Sequence, residues 1–378
     1  MTTATAASGQ ALAELLDFMR ELDTRFLGEE FGTTQPEDIT DGRLFVLHAL
    51  HAALGSQLHA DPERPVFRRL TGPNMKVLGD NPDALYFGAY VRPDRSYRIR
   101  GNVAGATFTS FSQEVGTADG GYSRQTVNVV KDSDLQIDAG GNFEFVLSAE
   151  RRPGRWFPLH PQAGLINTRH FFEREKPAAS DPALHIPLTI ECLDADPAPP
   201  PRMDDAVLAA RMRRVVNYVR GMTLDVPPFP RGAQPGWVST VPNRFNPPAD
   251  PAPSTGWANM DAVYALAPYE LQPDEALVIE GRFPRCRFAN VLLYTRFLQT
   301  YDHVNRRVSL NRRQTRLEVD GSFRMVLAHR DPGVPNWLDT EGRTQGRLFW
   351  RFLLPEEPLQ PLCTRVVPVA ELVAGTGS

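Results

Sequence analysis

The sequence predicts a mainly β protein with accessory helices, built from two tandem antiparallel β-sandwich modules of jelly-roll type. Three observations carry this. From Pro82 onward the chain breaks into short runs of alternating apolar and polar residues, separated by Gly, Asn, Asp and Pro, which is the pattern of half-buried strands. That texture occurs twice, with glycines and aromatics matching at an offset of about 180 residues. Helical periodicity is confined to two segments before Pro82 and one between the β-regions.

The first helix is expected from Gly9 to about Leu27, where Leu12, Leu15, Leu16, Met19, Leu22 and Phe26 recur at helical spacing. Thr40 and Asp41 offer caps for a second, "GRLFVLHALHAALGSQL". His48 and His51 lie three apart on it but have no acid or third histidine at a fitting position, so no metal or other cofactor is expected. The third runs from Asp204 to Arg220, with Asp204 or Asp205 as its cap, Gly221 at its end and one apolar stripe. Proline-rich stretches flank it, and the longer, residues 227–257, either packs across a domain face or closes over a cleft.

Three blocks carry the repeat. "YRIRGNVAGATFTSF" matches "LVIEGRFPRCRFANV" without a gap, pairing Gly101 with Gly281 and Phe108 with Phe288. "GNFEFVLSAERRPGRW" matches "GSFRMVLAHRDPGVPNW", pairing Gly154 with Gly333 and Trp156 with Trp337. "GLINTR" and "GRLFWR" place Arg169 opposite Arg351. Alternation in "FEFVL" and "FRMVL" turns one face of each strand to a core. The resulting organisation is a helical region at 1–79, a first module at 80–200, a linker helix and Pro-rich segment at 201–260, and a second module at 261–378.

Composition narrows the function classes. A net charge of −4 and only three lysines speak against nucleic-acid or anionic-membrane partners. Cys192, Cys286 and Cys363 lie far apart in no metal-binding spacing, which fits free thiols in a reducing, cytoplasmic setting. No apolar run reaches the ~18 residues of a membrane span. G-x-S-x-G, H-E-x-x-H, P-loop and Rossmann signatures are missing.

The segment "GRFPRCRFANVLLYTRFLQTYD…VSLNRRQTRLEVDGSFRMVLAHRDPGVPNWLDTEGRTQGRLFWRF", above all its "DPGVPNWLDTEG" block, resembles the family called domain of unknown function 1214. "DNPDALYFGAYVRPDRSYRIRGN" is similar to members carrying that domain at their C-terminus. The resemblance implies a double jelly roll, often paired with domain of unknown function 1254, and implies no activity. This chain departs from that pairing, because its first half reads as a second copy of the same module.

Features shared by both copies read as scaffold: the Pro-Gly turns, Trp156 and Trp337 as corner plugs, and Arg169 and Arg351 bonded to turn carbonyls or to an acid across the sheet. Features of one copy are the functional candidates. Asp339 and Glu341, with Asp302 and His303 on a preceding loop, form a candidate acid–base cluster, because two carboxylates in a partly dry cleft divide acid and base work. A ligand site for a carbohydrate-like or polar-headed small molecule draws on Tyr86, Tyr90 and Arg92, where aromatics and arginine interleave, and on His329, Asn336 and Arg351. Two functions follow: a hydrolase-like carboxylate enzyme with its cleft between the modules, or a non-catalytic binder of a carbohydrate or small metabolite. The sequence sets no oligomeric state.

Overall fold

A computed structural model describes residues 6–196, 198–226, 234–251, 257 and 259–374. Three helices, α1 (Ala7–Glu21), α2 (Pro36–Gln57) and α3 (Asp205–Met222), bury Phe18, Phe45, Val215 and Val219 in a common core. The first helix is shorter than its periodicity suggests, because Leu22–Phe26 continue as a π-helical turn. The second begins a turn earlier than expected, with Pro36 in the first helical position, where its missing N–H costs nothing. Asp41, read as a cap, instead lies inside α2 and accepts from Arg343 of the second module at 3.0 Å. Asp204 caps α3 by accepting the Val207 N–H at 2.8 Å. Gly221 does not end that helix; it lies within it, where a Cβ would meet Cβ of Tyr122 at 2.6 Å.

The first β-module comprises β1 (Arg68–Arg69), β2 (Ala84–Tyr90), β3 (Tyr97–Asn102), β4 (Phe108–Val115), β5 (Gln125–Lys131), β6 (Asn142–Ser148), β7 (Trp156–Pro158), β8 (Ala163–Phe171) and β9 (Leu188–Cys192). The second comprises β10 (Ala262–Glu270), β11 (Glu275–Gly281), β12 (Phe288–Tyr294), β13 (Ser309–Asn311), β14 (Phe323–Ala328), β15 (Trp337–Asp339), β16 (Gln345–Leu353) and β17 (Cys363–Pro368), followed by the short helix α4 (Val369–Ala374). The sheets of the first run β1-β2-β8-β4-β5 and β7-β6-β3-β9; those of the second run β10-β16-β12-β13 and β15-β14-β11-β17. Leaving β1 aside, adding eight to each strand number turns one pair of sheets into the other. Gly101 faces Phe143 and Gly281 faces Phe323 in the same register. Each glycine is required by the ring beside it, since a Cβ would meet the phenyl tip at 2.6 Å in one copy and 2.8 Å in the other. The mainly β, two-sandwich fold is therefore as the sequence predicts.

Each module keeps its own core between its sheets. A further apolar layer joins the modules, because the β2-β8-β4 face of the first packs on the β10-β16-β12 face of the second through Phe108, Phe171, Phe288 and Leu292. The Phe171 and Phe288 ring centroids are 5.0 Å apart. Burial on both faces explains why every residue of β4 and β12 is buried. Counterparts meet at this contact, as in a two-fold dimer: the Arg287 side chain donates to the carbonyl of Thr107, its own counterpart, at 2.8 Å. Lys131 at the end of β5 pairs with Asp261 before β10 at 2.6 Å. Its counterpart Asn311 donates to Asp83 before β2 at 3.0 Å.

Asp83 has a measurable consequence. Burial pushes its carboxyl up to about 6 from the ordinary 3.8, against hydrogen bonds from Asn290 and Asn311 and with a smaller upward push from Glu173. The folded chain therefore holds this proton more tightly than the unfolded chain. The stabilisation is complete below pH ~4 and is lost as pH rises through about 6, a change of roughly 3 kcal/mol. As pH rises from 4 to 7 the urea midpoint of the parent is expected to fall relative to that of Asp83→Asn; parallel curves would remove Asp83 as a titrating tie.

Candidate functional site

A cavity of about 300 Å³ opens where the two modules, α3 and the segments before β2 and β10 come together. Its two sheet walls are built from counterparts. Tyr86 on β2 stands in register with Arg169 on β8, and Tyr264 on β10 with Arg351 on β16, and all four line the space. Side chains two apart along a strand share a face, so Asn167 and Phe171 accompany Arg169, and Phe349 accompanies Arg351. Tyr218 of α3, Tyr122, Trp237 and Trp257 complete the aromatic lining, with Leu70, Leu78 and Leu298 as its aliphatic part.

The described part of the Pro-rich segment forms one flank. It runs along the edge strand β10, exchanging backbone hydrogen bonds between Ala249 and Tyr264 at 3.0 Å and passing the Leu266 N–H to the Trp237 carbonyl at 2.9 Å. This covers an open sheet edge and delivers Trp237, Pro251 and Trp257 to the cavity wall. Residues 227–233 and 252–256 of that stretch lie outside the described residues.

Arg351 is 6% exposed. Its Nη1 donates to the Tyr294 hydroxyl at 2.7 Å and its Nη2 to the Gly79 carbonyl at 2.9 Å, leaving three of a guanidinium's five N–H groups uncommitted. Its carbon lies 4.3 Å from the Phe349 ring centroid and 5.7 Å from that of Tyr294. No carboxylate among the described residues stands within ion-pair distance of it. Arg169 differs: Glu114 lies 3.8 Å away, both side chains being buried, and Arg169 also donates to Ser112 and to the Trp257 carbonyl.

Further polar groups on the wall lack protein partners among the described residues. The Nε1 atoms of Trp237 and Trp257, Oδ1 of Asn167 and Nδ2 of Asn259 are buried and unbonded. A buried polar atom left without a partner costs about 1–3 kcal/mol; these four are closed off by their neighbours and do not open onto the cavity. Burial pushes the Tyr86 phenol up to about 12, and the phenols of Tyr122 and Tyr218 upward as well, so all three are neutral at ordinary pH. Burial also pushes up the carboxyl of Asp80, opposed by Lys76, by hydrogen bonds from Thr300 and, more weakly, by Arg351.

The structure divides the candidates from sequence. Tyr86 and Arg351 line the cavity. Tyr90 does not: its hydroxyl accepts from Gln57 and its ring lies 5.8 Å from the Arg214 guanidinium. Arg92 is tied on the surface to Asp94 at 2.7 Å. His329 bridges Thr340 at 2.7 Å and the Gln272 carbonyl at 3.1 Å. Asn336 bonds the backbone of Arg316 and Arg324, holding β15 beside β14.

The four acid–base candidates do gather in one place, but none borders this cavity and each is engaged. Asp339 pairs with Arg306 at 2.7 Å and accepts the Glu341 N–H at 2.7 Å. Glu341 accepts the Asp302 N–H at 2.5 Å and faces Arg343 at 3.4 Å. Asp302 closes a turn on Val304 and Asn305. Burial first, then Lys76, holds His303 at about 3, and its Nδ1 lies 2.8 Å from the Ser180 hydroxyl. A base so weak is poorly matched to proton abstraction near neutral pH.

Sequence reasoning placed Arg169 in the scaffold and passed over Tyr264, Tyr122, Tyr218, Asn167 and both indoles of the wall. One signal was present. "NPDALY" and "NMDAVY" match residue for residue in four of six positions and carry Tyr86 and Tyr264. Extending the repeat backward by that block pairs the two tyrosines as well as the two arginines.

No protein-family model matches the chain, and no curated protein matches its sequence. Among solved structures it is similar to an uncharacterized protein from Burkholderia cenocepacia, at 27% identity and a TM-score of 0.80, over 96% of this chain and 98% of that one. It is also similar in fold to the VPA0106 protein from Vibrio parahaemolyticus, at 13% identity and a TM-score of 0.51, over 86% of this chain and 98% of the other. No described helix is long and apolar enough to cross a membrane.

Proposed function

We propose that the protein is a small-molecule binder whose site is the cavity between the two modules. The observation that carries this reading is Arg351, a buried guanidinium that lines the cavity, has no carboxylate within ion-pair distance among the described residues, and shares its nearest wall carboxyl, Asp80, with Lys76. An unmatched buried charge costs several kcal/mol, and the aromatic faces of Phe349 and Tyr294 offset only part of it. A bound polar head supplies the remainder. The apolar lining suits the body of such a ligand, and a site at a domain interface with few convergent polar groups has the usual composition of a metabolite pocket. Kinship with domain of unknown function 1214 and a cytoplasmic setting belong to the same reading, the first resting on the "DPGVPNWLDTEG" block and the second on three free cysteines.

The test is a thermal-shift screen of the full chain against sugars, carboxylated metabolites and neutral aromatics. A ligand at ~100 times its Kd stabilises by about 2.7 kcal/mol, enough to raise the midpoint by several degrees. A hit is expected to quench indole emission in the parent and to lose most of that quenching in Trp237→Phe. A screen in which no member of any class moves the midpoint would overturn the reading.

A further inference from the structure

The ligand class follows from a difference between the two halves of the cavity, and the argument rests on the reading above. Arg169 and Arg351 are held alike: Nη2 of Arg169 donates to the Trp257 carbonyl and Nη2 of Arg351 to the Gly79 carbonyl, each at 2.9 Å. Those carbonyls occupy corresponding places before β10 and β2. What differs is the residue reaching each guanidinium from the neighbouring strand. In the first module it is Glu114, in register with Leu165; in the second the same place, in register with Arg347, holds Tyr294.

The exchange lies behind the wall, since neither Glu114 nor Tyr294 lines the cavity, and it changes the charge that backs each arginine. Glu114 is itself satisfied by Ser123 at 2.8 Å and Thr126 at 3.0 Å, and stands 3.8 Å from Arg169 with 0% of its side chain exposed. Tyr294 spends its proton on the Asp80 carbonyl at 2.5 Å and offers Arg351 a neutral oxygen at 2.7 Å. Burial drives the Tyr294 phenol far above its ordinary value, so it carries no charge to cancel that of Arg351. The carboxyl that lines the wall among the described residues, Asp80, accepts from both the N–H and the hydroxyl of Thr300, has the buried ammonium of Lys76 as its strongest charged neighbour, and feels Arg351 more weakly, from beyond ion-pair distance. One guanidinium of the pair has a carboxylate within ion-pair distance, and the other has none among the described residues.

We infer that the ligand is a flat, apolar monocarboxylate of the aryl or short arylalkanoate class, and that Tyr294 is the residue that sets this specificity. The carboxylate takes the uncommitted N–H groups of Arg351, an arrangement that guanidinium geometry favours. The ring lies among Phe349, Tyr264 and Trp237, whose mutual centroid distances of 5.2–5.6 Å already form an aromatic cluster. A volume of about 300 Å³ is the lower end for ligand pockets and fits one ring with a short substituent better than an oligosaccharide. A second carboxylate finds its natural partner, Arg169, already taken by Glu114.

The experiment compares benzoate, its neutral isostere benzamide and the dianion terephthalate by titration calorimetry on the full chain. Benzoate is expected to bind roughly tenfold or more tightly than benzamide, the range of a charge-assisted hydrogen bond, and more tightly than terephthalate. Arg351→Met is expected to erase the difference between benzoate and benzamide. Glu114→Gln, which keeps the shape of the side chain but uncovers the charge of Arg169, is expected to move the preference towards terephthalate; if that variant does not fold, Arg351→Met decides alone. Equal affinity of the parent for benzoate and benzamide, or discrimination that survives in Arg351→Met, overturns the assignment of class while leaving the cavity a binding site. Failure of all three probes, together with a silent thermal-shift screen, removes the site itself.

Discussion

Replacing Glu114 by alanine is expected to lower the stability of the folded chain by about 3–5 kcal/mol, the usual cost of removing one partner from a buried ion pair. The carboxylate is fully buried, accepts from Ser123 and Thr126, and stands 3.8 Å from a guanidinium that is 4% exposed. Alanine removes the carboxylate to which Ser123 and Thr126 donate and which stands beside Arg169. The loss is read as a fall in the urea midpoint with little change in slope. Replacing both partners, as Glu114→Leu with Arg169→Met, is expected to recover much of it, since an apolar pair of similar volume often equals or exceeds a buried ion pair. A Glu114→Ala protein as stable as its parent would show that the two charges are not coupled.

The second large effect is expected at Trp350, where alanine should cost about 3–5 kcal/mol through lost apolar contact and the void left behind. The side chain is fully buried between the sheets of the second module. Its ring lies nearly parallel to that of Phe352 at 5.6 Å and to that of Phe323 at 5.3 Å. The corresponding positions of the first module hold Thr168 and His170, joined at 3.0 Å, with burial holding the imidazole at about 3 and so uncharged. One core is thus aromatic where the other is polar. Trp350→Phe is expected to lose far less than Trp350→Ala in thermal denaturation; equal losses would mean that the indole's size contributes nothing.

Much of the architecture was legible because its signals are local. Alternation in "FEFVL" and "FRMVL", turn glycines, and the capping Asp204 each act within a few residues, and the repeat multiplied their weight. Helix ends were harder to place. The start of α2 depended on Pro36, and the fate of Gly221 on Tyr122, a residue of the first module. The cavity was legible only in part, since its walls bring together residues far apart in the chain. Sorting shared features as frame and unshared ones as function did not lead to this cavity, for a physical reason. In a two-fold arrangement, residues present in both copies converge near the axis, so Tyr86, Tyr264, Arg169 and Arg351 meet on one space. The acids gained by the second copy serve as fastenings: Asp339 secures Arg306, and Glu341 secures the Asp302 turn.

The contact between Arg287 and Thr107 places residues of corresponding rank against each other across the axis. A surface that meets its own likeness in this way is self-complementary, and a polypeptide carrying a single copy could close on a twin through it. Joining two copies in one gene frees each half of such a pair to change alone. The exchange of a carboxylate for a phenol opposite one arginine is a change that a symmetric homodimer would have had to make twice.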